Sequence, residues 1–200
     1  MSPEYTLTVK NQSECFGNIC LYHRNDGHSI VWFSKSLHPD TVATFRWTMD
    51  YSFVWGELDV LIPGVIFRSS QIVEADPDRL DKNSIGFSRQ DGAYLFTKPQ
   101  RQGNPGSLVI QTDETIPMHG ATIGVGISGK AAFVALASPN FTYSFIPRPN
   151  YWVAFGGFRD FNDQEILDCS QITQTAKVLF PPNVYAMTAT FGVDHEWSIK

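Results

Sequence analysis

Asp50 stands in a run of large rings, between Met49 and Tyr51, with Arg46 four residues back on the same strand phase. A carboxylate at the mouth of a ring-lined cavity, with an ammonium such as Lys35 beside it, has the equipment to orient a polarised carbonyl or take a proton. Asp50 and Lys35 are therefore the candidate catalytic groups, and the plainer alternative is an exposed polar strand face. Trp32, Phe33, Tyr51, Trp55, Trp152 and Phe155 are the rings such a cavity would use. Indole and phenol combine a flat apolar body with one polar handle, which suits a ligand pocket. The same rings serve equally well as filling between two sheets.

Other chemistry-bearing residues form weaker constellations. His23 and His28 flank Asn25-Asp26-Gly27; as a metal pair they lack a third ligand, so they read as turn residues and no metal site is expected. His119 follows Asp113, Glu114 and Pro117, and His195 lies between Asp194 and Glu196. Sequence neighbours on a strand point to opposite faces, so these carboxylate–imidazole neighbours read as solvated turn clusters. Cys15, Cys20 and Cys169 contain no CxxC motif. Cys15 and Cys20 could meet across a turn, but free thiols in a reducing cytosol are the expectation. There is no GxSxG nucleophile elbow. Gly124, Gly126 and Gly129 precede neither a GK[ST] nor a helix, so they mark a bulge or a close approach of strands, not a phosphate cradle. No cofactor is called for.

The elements that must position these residues are strands. From Val42 to Trp55 one phase reads Ala43, Phe45, Trp47, Met49, Tyr51, Phe53, Trp55, and the other is mostly polar. Alternation of this kind gives a strand one apolar face, whereas a helix would scatter the rings around its circumference. The run is long for one strand, so a bend or break near Asp50 is expected. Tyr5/Leu7/Val9, Ile123/Val125/Ile127, Phe141/Tyr143/Phe145 and Tyr185/Met187/Ala189/Phe191 repeat the pattern. Gln90-Asp91-Gly92 predicts a hairpin, and Ile62-Pro63-Gly64, Asp76-Pro77, Gly103-Asn104-Pro105-Gly106 and Pro147-Arg148-Pro149 read as turns. No long amphipathic helix is visible. Ten or more short strands with regular punctuation predict an all-β protein with little helix: an antiparallel β-sandwich, with a barrel-like closure as the alternative. Residues 1–200 read as one domain. A weak echo between about residues 1–100 and 101–200 suggests two pseudo-equivalent halves sharing a core, and chance similarity between β-rich segments explains it nearly as well.

Composition narrows the function classes. The chain of 200 residues holds 15 Phe, 7 Tyr and 5 Trp with only 18% charged residues, ample apolar area to offset the entropy of ordering. The formal net charge is −5 with Lys and Arg scattered singly. Nucleic acid and anionic membrane are disfavoured as partners, because phosphate binding rests on basic clusters. The N-terminus has no secretory pattern, and the longest uncharged stretch, Ala131 to Pro147, is short and broken by Pro139, so no membrane span is expected. The expected location is cytoplasmic. No oligomeric state follows.

Tyr5-Thr6-Leu7-Thr8-Val9-Lys10-Asn11, Trp32-Phe33-Ser34-Lys35, Asp50-Tyr51-Ser52-Phe53-Val54-Trp55 and Ile62-Pro63-Gly64-Val65 form a set of distinctive words. Gln90-Asp91-Gly92-Ala93-Tyr94, Gly124-Val125-Gly126-Ile127-Ser128-Gly129, Tyr151-Trp152-Val153-Ala154-Phe155-Gly156 and Phe180-Pro181-Pro182-Asn183-Val184-Tyr185 extend it. Together they resemble the rhizosphere-expressed protein RhiA family, from Tyr5 to about Trp197. The resemblance implies a small single-domain protein without a signal segment, and it carries over no catalytic residues.

Three functional readings follow. The first is a binding module that takes a hydrophobic small molecule in an aromatic-lined pocket. The second is a cofactor-independent cyclase or isomerase, pericyclic ring closure included, which would need only a preorganised conformer and a hydrogen bond to a polarised carbonyl. The third is a carbohydrate-binding, lectin-like module.

Overall fold

The structure, a computed structural model, describes residues 3–24, 29–148, 150–156 and 161–200. The Asn25-Asp26-Gly27 turn, His28 and Pro149 lie outside the described residues. In chain order the strands are β1 (Glu4–Asn11), β2 (Gly17–His23), β3 (Ser29–Leu37), β4 (Val42–Thr48), β5 (Tyr51–Gly56) and β6 (Gln71–Ala75). They continue as β7 (Ser84–Gln90), β8 (Ala93–Thr97), β9 (Leu108–Thr112), β10 (Thr122–Ile127), β11 (Lys130–Leu136) and β12 (Thr142–Phe145). The last are β13 (Tyr151–Gly156), β14 (Ile166–Leu167), β15 (Thr175–Val178), β16 (Ala186–Phe191) and β17 (Trp197–Ile199). One 3-10 turn, Cys169–Gln171, supplies the only helical segment among the described residues, and no helix there is long and apolar enough to cross a membrane.

These strands form four sheets, ordered β17-β16-β1-β4, β11-β10-β5-β6, β12-β9-β7-β8 and β14-β3-β2-β13-β15. The fold is all-β, and none of the four sheets closes into a barrel. Most neighbours are antiparallel, as the alternation implied. Two pairs are parallel: β1 with β16 and β7 with β9. The expected break at Asp50 is present, dividing the long aromatic run into β4 and β5. Gln90 pairs with Ala93 across Asp91 and Gly92, which sit at φ 50° and 87°. That is the two-residue hairpin with left-handed central residues that matches strand twist.

The ring-bearing phase of the Val42–Trp55 run faces inward. Phe45, Trp47, Phe53 and Trp55 are buried, and Ala43, Met49 and Tyr51 pack against them. The main core also takes Leu7 and Val9, Leu21 and Val153, Phe87 and Ile110, and Ile123 and Val125, so each of the four sheets contributes a face. Strand β5 is covered on both sides, because Val54 of its opposite phase sits in a second cluster with Ile30, Phe67 and Val134. Strand β10 approaches its neighbours closely. A Cβ on Gly124 would lie 2.0 Å from the Phe133 carbonyl oxygen, and the register of β10 against β11 shifts between Val125 and Gly126. The glycines thus serve close approach and a bulge, as their sequence context indicated.

Candidate functional site

The largest group of rings surrounds His23 at the end of β2. Its imidazole centroid lies 4.8 Å from Trp32, 5.0 Å from Tyr151 and 5.1 Å from Phe133. Trp47 meets Trp32 edge-on at 5.4 Å, and Tyr5 stacks on Trp47 at 5.9 Å. The polar handles of both indoles are used internally. The Trp32 indole N–H donates to the Ile127 carbonyl at 3.0 Å, and that of Trp47 donates to the Tyr151 hydroxyl at 3.1 Å. His23 is the exception: it is fully buried, and neither ring nitrogen has a hydrogen-bond partner among the described residues. Burial without a partner disfavours the imidazolium and pushes its pKa down to about 3.

The other rings singled out from the sequence are dispersed. Trp55 packs with Phe87 and Tyr94 at 5.7 and 5.8 Å, its N–H donating to Gln71 Oε1 at 2.9 Å. Phe155 stacks on Phe191 at 4.2 Å. Trp152 lies beneath the Arg24 guanidinium at 4.9 Å, and Phe33 beneath the Lys130 ammonium at 4.5 Å. Lys35 donates to the Thr44 carbonyl at 2.7 Å, its Nζ 5.5 Å from the centre of the Phe45 ring. Trp32, Trp55 and Phe155 are buried, and Phe33 and Trp152 partly so.

Asp50 and Tyr51 are brought together at the surface. Tyr51 borders two neighbouring concavities. One, of about 510 Å³, is lined by Tyr51, Pro77, Asp78, Asn104, Ile146 and Arg148 among others. The other, of about 460 Å³, shares Tyr51, Pro77 and Asp78 and adds Tyr5, Asp50, Glu74 and Asp76. The phenol hydroxyl reaches the Pro147 carbonyl oxygen at 3.5 Å. Burial, helped by nearby Tyr5 and Asp78, pushes the Tyr51 pKa up to about 12, so the hydroxyl keeps its proton and can donate. Asp50 accepts from the Thr48 hydroxyl, and its backbone carbonyl accepts from the Ser128 N–H at 2.9 Å.

The framework of this lip is three turns. Gly106 N–H donates to the Pro77 carbonyl at 2.9 Å, joining the 76–78 turn to the 104–107 turn, and the 146–148 segment closes the far side. Asp76 Oδ1 accepts from the Asp78 N–H at 3.0 Å, which fixes the first turn. Asp78, Asn104 and Arg148 line the first concavity although linear spacing marks them only as punctuation. Lys35 lines neither of these two concavities. Among the described residues, no group of three or more His, Cys, Asp or Glu side chains is placed to hold a metal ion.

No solved structure matches the chain. Protein RhiA of Rhizobium leguminosarum bv. viciae is 32% identical over 204 residues, covering 98% of this chain and 86% of that protein. The sequence profile of RhiA matches residues 2–200. The chain therefore belongs to the RhiA family.

Proposed function

We propose that this protein is a binding module that takes a small molecule with an apolar face across the Tyr51 lip. The observation that carries the reading is the position of Tyr51, a half-buried phenol shared by two concavities and flanked by Pro77, Pro147 and an Ile146 that is 59% exposed. An apolar body resting on these side chains would leave its polar edge to Asp78, Asn104 and Arg148. That is the combination of apolar lining and few polar groups that small-molecule sites use. No disulfide joins Cys15, Cys20 or Cys169, which supports a reducing, cytoplasmic setting.

A carbohydrate is the second reading. It is favoured by the neighbouring concavity, where Asp50, Glu74, Asp76 and Asp78 surround Tyr5 and Tyr51, since carboxylates bind hydroxyls and rings stack on sugar faces. The cofactor-free cyclase has less support: Asp50 lines a groove, but Lys35 is committed to Thr44 elsewhere.

The test is a thermal-shift screen of hydrophobic metabolites and of soluble glycans, because a ligand that binds only the folded state raises the melting temperature with concentration. A hit from the hydrophobic set that is lost in Tyr51→Ala supports the first reading. A glycan hit lost in the same variant replaces it with the second. A hit that survives Tyr51→Ala removes the lip from the site.

A further inference from the structure

Cys15 and His195 lie 180 residues apart, yet the Cys15 Sγ is 3.8 Å from the His195 Nε2. The parallel pairing of β1 with β16 makes this contact. Asn11 is opposite Phe191 at the ends of these strands, and the Gln12 N–H donates to the Phe191 carbonyl at 2.8 Å. The loop after β1 therefore runs alongside the turn after β16.

Both members are held in place by their own networks. The buried Asn11 side chain donates to the Cys15 carbonyl at 2.8 Å, and the Cys15 N–H donates to the Ser13 hydroxyl at 3.3 Å. His195 stacks on Phe191 with ring planes 14° apart, and its backbone N–H donates to the Gly192 carbonyl at 3.1 Å. Cys15 is half-buried and His195 is exposed, so a reagent from solvent can reach the pair. Cys20 is fully buried among Tyr22, Val31 and Leu167, and Cys169 packs against that same cluster.

We propose that Cys15 is a reactive thiol, with His195 as its acid–base partner, and that its substrate class is small hydroperoxides. An imidazole at the sulfur is the arrangement that generates a thiolate nucleophile. A surface dyad suits a small reagent, and a single imidazole supplies all the proton transfer that a peroxide needs. The thiol proton passes to Nε2 as a sulfur lone pair forms an S–O bond and the O–O bond breaks. The imidazolium then returns the proton to the leaving oxygen, releasing water or an alcohol. Sulfur is oxidised by two electrons to the sulfenic acid, the peroxide is reduced by two, and the imidazole is regenerated.

The experiment exposes the full-length protein to hydrogen peroxide in the presence of a carbon-acid trap for sulfenic acids, with peptide mass spectrometry at each cysteine. Cys15 and Cys169 are both half-buried, so exposure is matched, and Cys15 with the imidazole at its sulfur is expected to be trapped at least about ten-fold faster than Cys169. His195→Gly suits the test because His195 sits at φ 63°, a left-handed conformation that glycine adopts freely. This variant should slow trapping at Cys15 by roughly 100-fold, the lower end of what a positioned acid–base group contributes, while Cys169 is unchanged. Added free imidazole should restore part of the rate. His195→Asn, also tolerant of that backbone, repeats the measurement should the glycine variant fold poorly. Equal trapping at Cys15 and Cys169, or variants that match the parent rate, would overturn the proposal, as would failure of imidazole to restore any rate.

Discussion

Tyr151 and Tyr51 carry the same side chain into opposite surroundings. Tyr151 is 2% exposed and enclosed by Trp32, Trp47 and His23, its hydroxyl accepting the Trp47 indole N–H. Tyr51 has the core behind it and turns on its other sides, with a face open to two concavities. In the first region every ring covers another ring, so the energy of burial is spent on stability. In the second, turns whose backbone groups need water or short-range partners border the phenol and leave one face of it open. Ring abundance alone therefore does not locate a binding site. What borders the ring does.

The sharpest way to break this contrast is to cut into the enclosed region. Trp47→Ala removes a buried indole and strips the Tyr151 hydroxyl of its donor; denaturant unfolding should show a loss of about 3–5 kcal/mol. A loss under about 1 kcal/mol would mean that the enclosed region is loosely packed.

Acid attacks the same region through His23. Its folded pKa, about 3, lies below the ordinary histidine value of 6.5. Neutral His23 therefore supports the fold fully above pH 6.5, and that stability drains away as pH falls from 6.5 toward 3. The drop should be on the order of 3–5 kcal/mol at the acid end. His23→Phe should flatten the stability–pH curve across this window, measured by urea midpoints at several pH values. A curve unchanged by the substitution would show that the imidazole is not held dry.

On the open side the effects shift from stability to binding. Tyr51→Ala should cost about 1–2 kcal/mol, since the ring is only half-buried, while abolishing the melting-temperature response to a ligand. Smallest of all, Asp78→Asn should move the unfolding midpoint by less than about 0.5 kcal/mol and weaken only ligands that donate to the carboxylate. If Asp78→Asn destabilised the protein as much as Tyr51→Ala, the lip would be a structural element, and the contrast with the enclosed region would fail.

The inward face of Ala43–Trp55, the break at Asp50 and the Asp91-Gly92 hairpin follow from local rules, because side-chain alternation and left-handed turn positions need only a few consecutive residues. Those rules placed Tyr51 on a strand of rings and Asp50 at its break. They could not separate Trp32, Trp55 and Phe155, which are buried, from Tyr51, which borders open space, since alternation names a face without naming what covers it. Nor do they bear on Asp78, Asn104 and Arg148, whose turns come together only once β6 has paired with β5 and β12 with β9.

Strand content, the apolar phase of each strand and the positions of the tight turns were determined by the amino-acid sequence itself. The parallel partnerships of β1 with β16 and β7 with β9, the convergence of turns at Tyr51 and the meeting of Cys15 with His195 were decided only by tertiary structure. The reason is that a strand's backbone donors and acceptors are the same whatever its sequence, so its choice of neighbour is set by which apolar faces the whole chain can bury together.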